Sequence, residues 1–141
     1  MSVLERKKMN TIRIVLTTSF LFFGAQAHAA EFSFTFSWEG LKLCSSGYPN
    51  SVFNPPFKLK NVPAGTTWIQ FRLTDKDAPN YNHGGGWVQF SGNNNIEMNQ
   101  FKYESPCPPS GSHTYEWTAT AKTKKSGGQT LARAKSKMKY P

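Results

Sequence analysis

Hydrophobic and polar residues alternate in three stretches of the chain, EFSFTFSWEG, TTWIQFRLTD and HTYEWTATAK. In the first stretch Phe32, Phe34 and Phe36 share one side of an extended backbone, and the other two stretches repeat this period of two. Such a period is typical of strands with one buried face. Clusters of proline and glycine separate the stretches and predict turns. The pattern therefore predicts an all-β, sandwich-like or barrel-like fold with little helix. Only residues 130–137 show a weak helical period.

The first 29 residues have the pattern of a secretory signal peptide. Basic residues surround the start of an apolar run over residues 12–23, and Ala27-His28-Ala29 supplies the small residues that signal peptidase requires. The run is shorter than the roughly 20 residues that cross a bilayer. We therefore predict a cleaved signal peptide, residues 1–29, and one domain, residues 30–141, in a periplasmic or secreted protein. The alternative is a buried N-terminal helix.

Basic residues are concentrated near the C-terminal end. The whole chain has 17 basic and 8 acidic residues, of which 4 and 1 precede residue 30. Seven of the remaining 13 cations lie between Lys122 and Lys139. We interpret this segment as a solvated face, and the alternative is a weak contact with an anionic membrane surface or with nucleic acid. Because no nucleic-acid-binding motif accompanies the charge, we expect no specific nucleic-acid partner.

The chain has two cysteines, Cys44 and Cys107. An even pair in a small exported domain predicts one disulfide. Closing a loop of this length stabilises a fold by about 4 kcal/mol on the chain-entropy model. Two isolated cysteines lack the paired spacing of zinc sites, so we predict no metal site and no cofactor.

Five motifs follow one another along the chain: NPPFKLKNVPAGT, LTDKDAP, GGGWVQF, ESPCPPSGSHTYEW and the terminal KYP. This order resembles the phosphatidylethanolamine-binding protein (PEBP) family, in particular its bacterial Raf-kinase-inhibitor-like branch. That branch shows V-P-x-G-T, D-P-D-A-P, W-x-H-W and C-P-P-x-G-x-H-x-Y in the same sequence, and tends to carry cysteines at the places of Cys44 and Cys107. The resemblance is best over residues 43–121. It implies a β-sandwich-like fold with a small anion pocket at one end.

The resemblance also implies the residues of that pocket. When the family's pocket motifs are matched to this sequence, the implied ligand-binding residues are Asp75, Gln89, His113 and Tyr115, with Pro79 and Pro109 at the rim. Gln89 takes the place of the histidine in W-x-H-W, and Lys76 replaces the first proline of D-P-D-A-P. Since a glutamine cannot become cationic, we expect it to weaken anion binding by about tenfold.

The chemistry of these residues suits a small anion. Gly111 permits a sharp turn, so that the backbone N–H groups around it form an anion nest. His113 can donate from one ring nitrogen once the other is satisfied. Asp75 is expected to hold a histidine tautomer or to accept from an amine headgroup. The alternative for Asp75 is a turn-forming role alone. We expect His83, which stands beside three glycines, to be exposed.

These features predict an exported, non-enzymatic protein that binds a phosphate-bearing small molecule or phospholipid headgroup. The alternative is a protein-interaction or protease-inhibitor module that acts on a protein partner through its loops. A hydrolase is the third hypothesis, since Ser110 and Ser112 lie close before His113 in the sequence. No G-x-S-x-G elbow supports this hypothesis, so we predict no catalytic residues.

Overall fold

The computed structural model describes residues 29–141. The predicted signal peptide therefore lies outside the described residues, except for its last position, Ala29. The described part of the chain forms nine strands and no helix. In chain order they are β1 Ser33–Phe36, β2 Ser51–Phe53, β3 Phe57–Lys60, β4 Trp68–Asp75, β5 Gly85–Gln89, β6 Asn95–Ile96, β7 Lys102–Glu104, β8 His113–Lys122 and β9 Thr130–Tyr140. Among these residues no helix has the length and hydropathy that membrane crossing requires.

The strands form three antiparallel sheets. The largest has the order β5-β4-β8-β9, the second the order β1-β3-β6, and the third contains only β2 and β7. All pairs are antiparallel. This arrangement follows from the alternating sequence pattern, because each strand has one apolar face to bury. The predicted all-β class and the sandwich-like architecture are confirmed.

Aromatic side chains join the two larger sheets. Phe57 of β3 stacks on Phe71 of β4 with ring centroids 4.2 Å apart, and it meets the Trp117 ring edge-on at 5.3 Å. Phe34 of β1 contacts Phe71 at 6.0 Å. Offset-stacked and edge-to-face pairs each contribute about 0.5–1.5 kcal/mol beyond area burial. The odd-numbered residues of β4 and β8 therefore face the core, and the even-numbered residues face outward.

The weak helical prediction for residues 130–137 is wrong. These residues belong to β9, which pairs along its whole length with β8. Ala132 and Ala134 lie opposite Ala121 and Ala119, whereas Arg133 is exposed. Local helix propensity is a weak preference, and the long pairing with β8 overrides it.

The two glycines that open β5, Gly85 and Gly86, are required by the packing of the core. A Cβ on Gly86 would lie 2.2 Å from Cγ of Phe101. A Cβ on Gly85 would lie 2.0 Å from the carbonyl oxygen of Phe71 on the neighbouring strand. The backbone of β5 can approach these neighbours only because it has no side chains there.

Candidate functional site

The candidate site lies where β4 ends and β8 begins. The register of the two strands places Asp75 opposite Tyr115. Both residues have odd numbers and therefore face inward, as does His113. Nδ1 of His113 lies 2.7 Å from Oδ2 of Asp75, so two residues far apart in sequence form one hydrogen-bonded pair. Because the carboxylate can only accept when ionised, Nδ1 of His113 donates, and Nε2 remains for a ligand.

Asp75 is held by several donors at once. Its Oδ1 atom accepts from the amides of Asp77, at 2.9 Å, and Ala78, at 3.1 Å. Burial raises the pKa of this carboxyl, but the hydrogen bonds from His113, the two amides and the Tyr115 hydroxyl lower it below its ordinary value. Asp75 is therefore ionised at neutral pH. Asp75 accepts from the turn amides through Oδ1 and from His113 through Oδ2. The turn-forming role and the histidine-holding role, which the sequence offered as alternatives, are therefore compatible.

Tyr115 lies beneath this pair and is almost fully buried. Burial raises the pKa of its hydroxyl, and the negative charge of Asp75 raises it further. The hydroxyl therefore keeps its proton and remains a hydrogen-bond donor. The ring of His113 lies over the Tyr115 ring with centroids 6.3 Å apart.

His83 lines the same cavity, although the sequence did not predict it there. It was expected to be exposed, but only 2% of its surface is accessible. Nδ1 of His83 donates to the carbonyl of Glu104 at 2.8 Å, and the amide of Glu104 donates to the carbonyl of His83 at the same distance. Its ring meets Tyr115 edge-on at 5.4 Å. A second imidazole therefore packs against Tyr115, again with Nδ1 engaged.

Two loops complete the walls of the site, and the disulfide joins them. Cys44 and Cys107 form the predicted bond. Next to it, Asn50 and Ser105 exchange hydrogen bonds, with each amide donating to the other residue. The hydroxyl of Tyr140 accepts from the amide of Cys44 at 2.8 Å and donates to the carbonyl of Lys42 at 3.1 Å. The last strand thus anchors the start of the first loop.

The loops and strand ends enclose a cavity of about 80 Å³. By the liquid share of about 30 Å³ per water, this space suits a few waters or one small oxyanion. Its walls are formed by Gly47, Pro49, Asp75, Ala78, Tyr81, His83, Cys107, Pro108, Pro109, His113 and Tyr115. Four larger hollows of about 170, 230, 350 and 430 Å³ lie elsewhere on the described part of the chain, but none is lined by a histidine or an aspartate.

Four of the predicted residues meet at this cavity: Asp75, His113, Tyr115 and Pro109. Pro79 and Gly111 are exposed and do not line it. Gly111 has a φ of 65°, so it does supply the expected left-handed turn before β8.

The prediction that Gln89 lies in the pocket beside Asp75 is wrong. Gln89 pairs with Trp68 at the opposite end of β4, and its side chain is exposed on the outward face. Seven residues of strand, roughly 23 Å at about 3.3 Å per residue, separate the two positions. The reason is that β5 runs away from Asp75 after the hairpin. The residues near Asp75 are those before Gly85, which is where His83 lies.

One group of potential metal ligands lies close together within residues 29–141, namely Asp75, Asp77 and His113. Its oxygen atoms already accept hydrogen bonds: Asp75 as described above, and Oδ2 of Asp77 from the amide of Thr114 at 2.7 Å. The group is thus engaged in holding the β4 end against β8.

These features define a β-sandwich with a small polar cavity at one end. Two solved structures share this fold. One is a PEBP homolog from Chlamydia trachomatis D/UW-3/CX, with a TM-score of 0.55 and 19% identity, over 79% of this chain and 97% of the other. The other is E. coli YbcL, described as a new member of the mammalian PEBP family, with a TM-score of 0.57 and 16% identity, over 79% and 98%.

The resemblance seen in the sequence is therefore confirmed as a structural match, and the chain has a PEBP-like fold. No protein-family model and no curated protein matches the sequence.

Proposed function

We propose that this protein is an exported, non-enzymatic binding protein whose cavity takes a small phosphate-bearing group. The group is either a free phosphate compound or the headgroup of a phospholipid. The observation that carries the proposal is the convergence of two imidazoles and one tyrosine hydroxyl on a single oxyanion-sized cavity. The names of the two structural relatives point to the same ligand chemistry, since phosphatidylethanolamine carries a phosphate diester.

The hydrogen bonds of the site support anion binding. Both histidines use Nδ1 as a donor to a protein oxygen. Protonation of either ring turns its Nε2 atom from an acceptor into a charged donor, and charged donors bind oxyanions about twice as strongly as neutral ones. Asp75 balances the charge of a protonated His113. The carboxylate of Asp77 lies within 4.8 Å of the Asp75 and His113 side-chain atoms and adds negative charge beside the cavity, which favours a ligand that carries an amine beside the phosphate.

The walls of the cavity support binding over hydrolysis. Among the described residues that line it, none is a serine, a threonine or a free cysteine. Ser110 and Ser112 are exposed on the loop before β8 and do not line the cavity. The proposed domain is residues 30–141 behind a signal peptide of residues 1–29. The Cys44–Cys107 disulfide is consistent with an extracytoplasmic protein, periplasmic or secreted.

Titration calorimetry with inorganic phosphate and with O-phosphorylethanolamine tests the proposal. The variant His113→Asn keeps a donor to Asp75 but lacks Nε2, so both ligands should bind at least tenfold more weakly. Gln89→Asn is the matched control, because Gln89 is exposed at the far end of the sheet. Tighter binding of O-phosphorylethanolamine than of phosphate assigns the site to an amine-bearing headgroup. No binding of either compound, or equal losses in both variants, would contradict the proposal.

A further inference from the structure

The outward face of the four-stranded sheet is strongly basic. By the strand register, six cations share this face: Arg72, Lys122, Arg133, Lys135, Lys137 and Lys139. Among the described residues of these strands, Glu116 is the only acidic residue on the outward face. It already lies 3.1 Å from Lys135 and 3.8 Å from Lys76. The remaining cations have no acidic partner among the described residues, so the face keeps a large positive charge.

The cations are spread over an area of the sheet. Along β9 they occupy every second residue from Arg133 to Lys139, which spaces them about 6.7 Å apart in a row of roughly 20 Å. Arg72 lies two strands away on β4, opposite Thr118, which itself pairs with Lys135. Because neighbouring strands are about 4.8 Å apart, the charged area is also roughly 10 Å wide. An extended, flat partner can meet all of these charges together.

Two tryptophans lie at one end of the same face. Trp68 and Trp87 are both partly exposed, and each has an ammonium group over its ring. Nζ of Lys125 lies 5.2 Å from the Trp68 ring, and Nζ of Lys122 lies 5.6 Å from the Trp87 ring. Tryptophan beside lysine is typical of protein surfaces at the headgroup level of a bilayer, where the ring is amphipathic.

We propose that the outward face of this sheet docks the protein onto an anionic phospholipid bilayer. Single-stranded nucleic acid is less suited to the face for two reasons. It binds along a groove that follows one backbone, and it stacks bases on open aromatic rings. Here the charges are spread over several strands rather than along one line, and lysines occupy the tryptophan rings. The bilayer instead offers a plane of negative charge, which attracts each nearby lysine or arginine additively.

This surface is distinct from the cavity and does not depend on the proposed function. Residues with odd numbers on β8, such as His113 and Tyr115, face the cavity, whereas Thr114 and Glu116 face outward. The basic face runs along β9 from Arg133 to Lys139, whereas the cavity lies on the inward side of the sheet at the start of β8.

Vesicle co-sedimentation tests the docking surface. The protein starts at Ala30, so that the apolar segment over residues 12–23 contributes no lipid affinity of its own. Vesicles of phosphatidylcholine alone are compared with vesicles that also contain phosphatidylglycerol. The triple variant Arg133→Gln, Lys137→Gln, Lys139→Gln should lose roughly a hundredfold in binding to the anionic vesicles. These side chains are exposed, so the fold should be unaffected.

The matched control is Lys42→Gln, Lys58→Gln, Lys60→Gln, which removes the same charge from residues outside this face. It should keep the affinity of the unaltered protein to within a few-fold, and added salt should weaken binding of the unaltered protein. Equal binding to both kinds of vesicle, or equal losses in the two triple variants, would overturn the proposal. So would binding of single-stranded DNA without binding of anionic vesicles. Phosphate binding in the cavity should be the same in both triple variants.

Discussion

If both imidazoles bind the ligand, removal of the Nε2 atom of either ring should weaken phosphate binding, and His83 gives the sharpest test of this idea. The change His83→Asn places an amide nitrogen near the position of Nδ1, so the hydrogen bond to the carbonyl of Glu104 is kept while Nε2 is lost. The change His83→Gln does the reverse: its amide reaches the position of Nε2 and loses the bond to Glu104. The pair of variants therefore separates the binding role of the ring from its structural role.

The size of each effect follows from these contacts. A hydrogen bond with a charged partner contributes about 1.5–3 kcal/mol and a neutral one about 1 kcal/mol. His83→Asn should therefore weaken phosphate binding about tenfold, because the Nε2 atom that faces the ligand is lost. His83→Gln should keep more of the affinity but lower the free energy of unfolding by about 1 kcal/mol, because the donor to Glu104 is gone.

Titration calorimetry measures the affinity, and urea denaturation measures the free energy of unfolding. Unchanged phosphate affinity of His83→Asn would refute the reasoning, since the ring would then serve only to hold Glu104. A loss of stability in His83→Asn equal to that in His83→Gln would show that Nδ1 is not the structurally important atom.

Two further predictions concern stability. The lowered pKa of Asp75 means that its contribution is fully present above the unfolded value of about 3.9 and is lost as the pH falls through the lower folded value. Thermal denaturation across acidic pH should therefore show a flatter pH dependence for Asp75→Asn than for the unaltered protein; parallel curves would contradict this. Removing the disulfide with Cys44→Ser and Cys107→Ser releases a loop with a sequence separation of 63. Urea denaturation should show a loss of about 4 kcal/mol, and a loss below about 1 kcal/mol would contradict the chain-entropy estimate.

The sequence predicted β1, β4 and β8 well, because alternation and turn residues are local signals. Asp75 closes an alternating run and His113 opens another, so their meeting required only that the two runs pair antiparallel. The disulfide partners were likewise set by the presence of two cysteines. These parts of the site depend on short-range pattern and on one pairing.

The predictions for the positions of Gln89 and His83 were wrong, because the register of a hairpin is not a local property. Matching GGGWVQF to the family motif aligned Gln89 with a histidine, but the strand begins at Gly85, opposite Arg72. Counting back from that pair would have put the residues before Gly85 near Asp75. The close approach of Gly86 to Phe101 fixes this register, and that contact joins residues whose pairing the sequence pattern does not reveal.

The position of β9 at the edge of its sheet has a consequence for solubility. β9 is hydrogen-bonded to a neighbouring strand on one side only, and although β1 packs close to it, its outer edge offers backbone groups to another extended chain. Closely spaced positive charges repel a second copy, and the indole N–H of Trp38 covers the carbonyl of Lys139 at 3.1 Å. The same lysines that give the molecule its basic surface thus discourage strand-to-strand aggregation. Neutralising all of them together would expose the protein to fibril-like self-association.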